Sequence, residues 1–371
     1  MNRSQFWQAV SVVLLACGLA GAQNTNPTPR IISFSAPGGG TGFDQGTGGF
    51  DINPQGAVVG SFHDDNNVFH GFQCIAPCNT FSEYNAPGAG TAANQGTITF
   101  GNNLFGETVG FYVDANNVAH GFATEYPFRN FTSLNVPGAG TGANQGTFAG
   151  NVNPGGEIAG YWVDANNVSH GFVSYPPYRN YTSFDPPGSV NTFTAVATSL
   201  NLEGTVAGTY FDANGVAHGY LRYANGSFTE FNVTGAGTGA NQGTESESLS
   251  DFGVVAGNYI DSNNVNHGFV RSPSGEITTF DVAGAGTGAG QGTVPEGINL
   301  LGLVAGMWVD ANGANHGFVW TPWGGITKFD VPGFGTGANQ GTEPATPNVF
   351  GVITGQWVDE NNVHYGFLRT P

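Results

Sequence analysis

The chain has 371 residues, 26 of them acidic against 8 basic, for a formal net charge of −18, and only 9% are charged. Binding to phosphate backbones needs clustered Lys and Arg, so nucleic acid is excluded as a partner. The 61 glycines would suggest disorder in an unpatterned chain, but this one is periodic from end to end.

Residues 1–22 read as a signal peptide. Arg3 supplies the positive start, Val10 to Leu19 the apolar run, and Ala20-Gly-Ala22 a small-residue cleavage site. The expectation is a secreted, extracellular protein that does not span the membrane, because the run is short and no stop-transfer pattern follows. Leu14-Leu-Ala-Cys17 loosely matches a lipobox, so the alternative is a chain anchored by lipid through Cys17. Removal of the leader leaves Cys74 and Cys78, close together in one loop, and an oxidising compartment would pair them as a disulfide.

Residues 23–30 form a polar linker, and 31–371 are read as one repeat domain. Ile31 to Ala36 opens with a strand pattern that returns as Phe81 to Ala86, Phe131 to Val136, Tyr181 to Pro186, Phe228 to Val233, Ile277 to Val282 and Ile326 to Val331. Phe34 and Ala36, like their counterparts, sit two residues apart and predict one buried face. A glycine-rich loop follows each strand, clearest as Pro137 to Thr147. The fourth copy, Pro187 to Phe193, lacks the Asn-Gln-Gly-Thr ending and predicts a connection of different shape. A variable strand comes next, then a turn such as Asn153-Pro-Gly-Gly156.

The most regular stretch then begins, at Gly60, Gly110, Gly160, Gly208, Gly257, Gly306 and Gly355, a period of 48 to 50 residues. It reads as two strands joined by an Asp-x-Asn-Asn or Asp-x-Asn-Gly turn, expected as a two-residue hairpin whose residues tolerate positive φ. His-Gly-Phe or His-Gly-Tyr opens the return strand in every copy but the last, which has Tyr365. Four strands per period at this spacing mark a propeller or a solenoid. The chain starts on a fourth strand and stops after a third, so each end supplies what the other needs. The fold expected is all-β, a seven-bladed β-propeller of four antiparallel strands per blade, closed by the N-terminal strand; a β-solenoid is the alternative.

At Gly-x-Val/Ile/Ala-x-Gly, Asp-x-Asn-Asn/Gly, His-Gly-Phe and Phe-Asp-Val-Pro-Gly-Ala the chain resembles the extracellular HAF-repeat proteins of bacteria, with Gly where that family's triplet has Ala. The resemblance covers Ile31 to Pro371 and implies secretion and a propeller-like repeat. It carries no reaction, so no catalytic residue follows from it.

The chemistry on offer is limited. The glycine-rich loops lack the Lys and the following helix of a phosphate loop, so no nucleotide or other cofactor is assigned. The turn aspartates Asp64, Asp114, Asp164, Asp212, Asp261, Asp310 and Asp359 each bring one carboxylate where calcium loops bring several, so they read as turn caps and no metal is assigned. The repeated histidines read as structural hydrogen-bonding residues.

Function is expected where one repeated surface acts many times or where the repeats differ. The loop residues Asn94, Gln95, Asn144, Gln145, Asn241, Gln242, Asn339 and Gln340 suit sugar hydroxyls, which favours non-enzymatic binding of an extracellular polysaccharide or a surface protein. Aromatics in the third-to-fourth loops, such as Tyr126, Tyr175 and Trp323, would stack on sugars or anchor a protein. A glycan hydrolase or lyase is the alternative, with acids of the variable strands, Asp51, Glu245, Glu247, Asp251, Glu296 and Glu343, at an axial site; it requires two of these to converge with shifted pKa. A surface spacer is the third reading.

Overall fold

The computed structural model describes residues 29–195, 199–323 and 325–371. The leader, its cleavage site and Cys17 lie outside the described residues. Within them the chain is all-β, with 28 strands in repeating four-strand units.

After β1 (Ile31–Phe34), the first unit is β2 (Gly46–Ile52), β3 (Ala57–His63), β4 (Phe69–Ile75) and β5 (Phe81–Tyr84). The second is β6 (Gly96–Asn102), β7 (Glu107–Val113), β8 (Ala119–Glu125) and β9 (Phe131–Leu134), and the third β10 (Gly146–Val152), β11 (Ile158–Val163), β12 (Ser169–Ser174) and β13 (Tyr181–Phe184). The fourth is β14 (Asn191–Thr194), β15 (Val206–Phe211), β16 (Ala217–Arg222) and β17 (Phe228–Phe231), and the fifth β18 (Gly243–Leu249), β19 (Val255–Ile260), β20 (Asn266–Arg271) and β21 (Ile277–Phe280). Then come β22 (Gly292–Ile298), β23 (Val304–Val309), β24 (Asn315–Thr321) and β25 (Gly325–Phe329), and last β26 (Gly341–Pro347), β27 (Ile353–Val358) and β28 (His364–Arg369).

That last unit takes its fourth strand from the other end of the chain: β1 pairs antiparallel with β28, Ile31 opposite Arg369 and Phe34 opposite Gly366. Trp357 Nε1 donates to Ser33 Oγ across the same seam. The expected fourth strands are two residues too long. Strand β1 stops at Phe34 because the next inward-facing amide, that of Ala36, donates to the Thr47 hydroxyl instead of to a neighbouring strand. Thr97, Thr147, Thr244, Thr293 and Thr342 repeat this bond. Ala36 and its counterparts are nonetheless buried, as the period-two pattern requires.

The hairpin turns differ from expectation. Asp64 N–H donates to Val68 O and Asn67 N–H to Asp64 O, which encloses three residues, 65–67. Only the last, Asn67, has positive φ, at 60°. This is a type I turn closed by a left-handed residue, a connection that matches strand twist as well as a two-residue turn does. Asp64 Oδ1 accepts from the amides of Asn66 and Val68, and the equivalent aspartates do the same in every unit.

Successive units join through the glutamine of each glycine-rich loop. Its backbone carbonyl accepts from the residue before the His-Gly pair of the preceding unit, as Phe69 N–H to Gln95 O at 2.8 Å. The following glycine lies against that same residue, and Gly46 has φ +113 with its missing Cβ only 2.0 Å from His364 O, so no side chain fits. The fourth copy solves the same problem differently: Asn191 replaces the glycine, and its Oδ1 accepts from Ser169 N–H at 3.0 Å.

A second belt runs around the inner strands. Asn53 Oδ1 caps the β2–β3 turn while its Nδ2 donates to Asn103 O in the next unit. Asn103 reaches Asn153 O, Asn153 reaches Asn201 O, Asn299 reaches Asn348 O, and Asn348 reaches back to Asn53 O. Where Ser250 interrupts the series, Asp251 Oδ1 accepts from Leu202 N–H instead. Hydrophobic cores lie between neighbouring units, each built around a fully buried ring such as Phe72, Phe172, Phe269 or Phe367.

Candidate functional site

The inner strands are where the repeats differ most, and their register places the differences side by side. The residue after each repeated glycine lies directly opposite the third residue of the inner strand. These cross-strand pairs are Gly48–Ser61, Ile98–Phe111, Phe148–Tyr161, Phe193–Thr209, Glu245–Asn258, Val294–Met307 and Glu343–Gln356. Pairs of this kind face the same side of the sheet and act as units.

On one side of the axis they make an aromatic wall. Phe148 stacks on Tyr161 with centroids 4.7 Å apart and planes at 9°. Phe111 meets Phe148 edge-on at 4.8 Å, Tyr161 meets Phe193 at 5.1 Å, and Phe50 and Phe100 continue the arc. These rings are half-buried. Burial pushes the Tyr161 phenol up to about 12.

The other side is a wall of carboxylates and amides. Glu245 accepts from Asn258 Nδ2 at 3.0 Å, and Glu343 accepts from Asn315 Nδ2 and Gln356 Nε2, both at 2.7 Å. Glu247 and Glu296 stand two residues deeper along their strands than Glu245 and Val294. Burial, reinforced by the Glu245 charge, pushes Glu247 up to about 7. Burial also holds Glu296 well above the usual carboxylate range, with the charges of Glu247 and Glu343 adding to it. A cavity of about 230 Å³ joins the two walls, lined by Tyr161, Phe193 and Phe211 on one side and Glu245 and Glu247 on the other.

The structure thus brings together four of the six acids singled out in the sequence. Asp51 and Asp251 have other work. Asp51 accepts from Ile52 N–H, Asn102 N–H and the Thr346 hydroxyl, tying three units together, and burial pushes it up to about 6. Asp251 holds the Leu202 amide in the asparagine belt, and burial raises it too.

At the end of the axis nearest Glu245 and Glu343 lie the hairpin turns and glycine-rich loops. Each loop glutamine turns inward: Gln95 Oε1 accepts from Ala92 N–H and its Nε2 donates to Asn117 Oδ1. Gln145, Gln242 and Gln340 make the same two bonds. Asn94, Asn144, Asn241 and Asn339 are different: each takes positive φ near 60° and leaves its side chain exposed. The histidines pack within the blades. His170 stacks on Trp162 at 4.4 Å, with Nδ1 2.8 Å from Asp185 Oδ2, and its counterparts repeat the arrangement. Tyr365 stacks on Trp357 in the same way. Cys74 and Cys78 are joined as a disulfide. The aromatic wall and the amide partners were missed in the sequence. Their signal was there, in the residue after the invariant glycine, which runs Ser61, Phe111, Tyr161, Thr209, Asn258, Met307 and Gln356 from repeat to repeat.

No protein-family model matches the chain, and no curated protein matches it. Solved structures do. The BP39L lectin from Burkholderia pseudomallei is 12% identical, with 84% of this chain and 95% of that one covered and a TM-score of 0.50. A puromycin hydrolase mutant complexed with PGG is 11% identical at a TM-score of 0.53, covering 88% of this chain and 50% of that one. A lectin from Aleuria aurantia, described as a six-bladed β-propeller with a novel fucose recognition mode, is 12% identical at a TM-score of 0.40, covering 81% and 94%. The chain spans 65% of TolB from Acinetobacter baumannii, 86% of its own length being covered at 10% identity and a TM-score of 0.48. At these identities the likeness concerns the fold alone: the chain is a four-strand-repeat, propeller-like all-β protein.

Proposed function

We propose that the protein is a seven-bladed, secreted β-propeller that binds an extracellular carbohydrate polymer without cleaving it. The β1–β28 pairing and the Asn348–Asn53 bond support closure after the seventh unit. The observation that carries the binding reading is the axial channel, aromatic on one wall and carboxylate and amide on the other. A sugar offers an apolar C–H face and a rim of hydroxyls, which is the complement of Phe148 and Tyr161 facing Glu245 and Glu343. The exposed Asn94, Asn144, Asn241 and Asn339 ring the same end and extend the contact to a long chain. Repeated weak contacts raise apparent affinity by about 10² to 10⁴.

Binding to a glycan array tests this. Long oligosaccharides should bind far better than monosaccharides, Phe148→Ala or Glu343→Gln should weaken binding at least tenfold, and Asn144→Ala should weaken it only slightly. Equal affinity for short and long ligands, or binding indifferent to Phe148→Ala, defeats the proposal.

The raising of Glu247 by burial and the Glu245 charge, and of Glu296 by burial and the charges of Glu247 and Glu343, favours a second reading, a glycan hydrolase or lyase, because a carboxyl protonated near neutral pH beside an ionised one is the arrangement of an acid and a base. Shortened products from a bound oligosaccharide, abolished by Glu296→Gln with binding retained, would establish it over the first.

A further inference from the structure

The end of the molecule opposite the asparagine loops has its own chemistry. The first-to-second turns reach solvent there, and four of their tips are large apolar residues: Phe105 is 58% exposed, Phe252 53%, Leu301 41% and Phe350 44%. Outside them, on the third-to-fourth loops, stand Tyr126, Tyr175, Tyr223 and Trp323, the last 73% exposed. In the middle opens a cavity of about 660 Å³ whose wall includes Ile52, Val152, Leu200, Leu249 and Ile298. Monomers rarely leave such a concentration of apolar side chains uncovered without a use for it.

Charge is divided between the two ends. The hairpin aspartates and the loop acids Asp185, Glu230, Asp281 and Asp330 lie at the asparagine end. Among the described residues Lys328 is the one basic side chain there. At the apolar end the exposed charges balance, Arg30, Arg129 and Arg179 against Glu125, Glu203 and Glu276. The large negative charge of the chain therefore faces away from this end.

The chain itself indicates what the face meets. Arg30, hydrogen-bonded to Thr370, enters the fold at this end, so the N-terminal segment that follows the leader joins the molecule on this face. From Cys17 to Arg30 the chain can extend ~45 Å at about 3.5 Å per residue, enough for a lipid on Cys17, the alternative fate of the leader, to lay the face on a bilayer.

We infer that this end is a membrane-docking face that seats on a lipid bilayer surface. Its apolar centre enters the acyl boundary, the Tyr and Trp ring lies at headgroup level, and the three arginines meet lipid phosphates, while the acidic end is turned to the medium. The inference goes beyond carbohydrate binding and does not depend on it.

The test is flotation with vesicles of pure phosphatidylcholine and of equal parts phosphatidylcholine and phosphatidylglycerol. It uses the protein purified from an exporting host, its N-terminus fixed by mass spectrometry and identical in every variant. Wild type should float with both, and tryptophan emission should shift to the blue. The combined variant Phe105→Ser, Phe252→Ser, Leu301→Ser and Phe350→Ser should lose at least tenfold in partition with an unchanged far-ultraviolet spectrum and melting curve. Asp65→Asn, at the far end, should float like wild type. Trp323→Phe should retain flotation but lose most of the blue shift, an independent readout if the combined variant folds poorly. Absence of flotation in both lipids overturns the inference. So does a wild-type dimer that the combined variant converts to a monomer without any vesicle binding, since the face would then belong to a second copy.

Discussion

At the scale of single residues, two groups of carboxylates respond to pH in opposite directions. Asp51, Glu247 and Glu296 are raised, chiefly by burial. Between the unfolded carboxyl range, roughly 3.9 to 4.3, and the folded values, the unfolded chain ionises while the folded chain keeps its protons. Stability therefore falls as pH climbs to about 6 for Asp51 and about 7 for Glu247, and is level above that. Asp164 and Asp212 are lowered, first by the Val168 and Val216 amides, so their contribution is present above the unfolded range and lost below it. Melting temperature should consequently rise as pH falls from 8 to about 5 and drop again under pH 4, each kcal/mol counting for roughly 1–2 °C in a chain of this size. Glu247→Gln should flatten the upper part of the curve. A melting temperature that climbs steadily to pH 8 would contradict this account.

At the scale of the element, the decisive piece is the joint between units. The glycine after the loop glutamine has positive φ and no room, since a Cβ on Gly146 would lie 2.0 Å from Ala119 O. The clash is with backbone, which cannot step aside. Gly146→Ala should cost more than ~3 kcal/mol, strain and clash together. Gly226 has φ +84 with nothing within 4 Å, so Gly226→Ala should cost only about 1 kcal/mol. Urea midpoints of the two variants measure the contrast, and equal losses would mean that the joint is softer than its geometry.

At the scale of the whole molecule, β1 on β28 is the seam that joins the chain's ends. Removing residues 24–36 takes away the partner of Arg369 to Gly366 and the Ser33 acceptor of Trp357, leaving an open strand edge. The truncated chain should melt lower and associate edge to edge, which light scattering and a melting curve will show. A monomer that melts at the original temperature would mean that the seam contributes nothing to stability.

The sequence by itself determined the repeat, the four strands per unit, the buried alternation of Phe34 and Ala36 and the complementary ends, because these depend on local propensity and on counting. It also marked the odd fourth connection at Pro187 to Phe193, though not that Asn191 would stand in for the missing carbonyl. The three-residue hairpins and the early end of β1 depend on which hydrogen bond an amide finds, and a linear pattern does not record that. Nor does a linear pattern record that Gln95 and Gln145 each close their own loop onto a hairpin. Only the tertiary structure decided which side chains share the axis. Phe148 and Glu245 are 97 positions apart in the chain, and nothing but the register of separate strand pairs sets an aromatic wall against an acidic one.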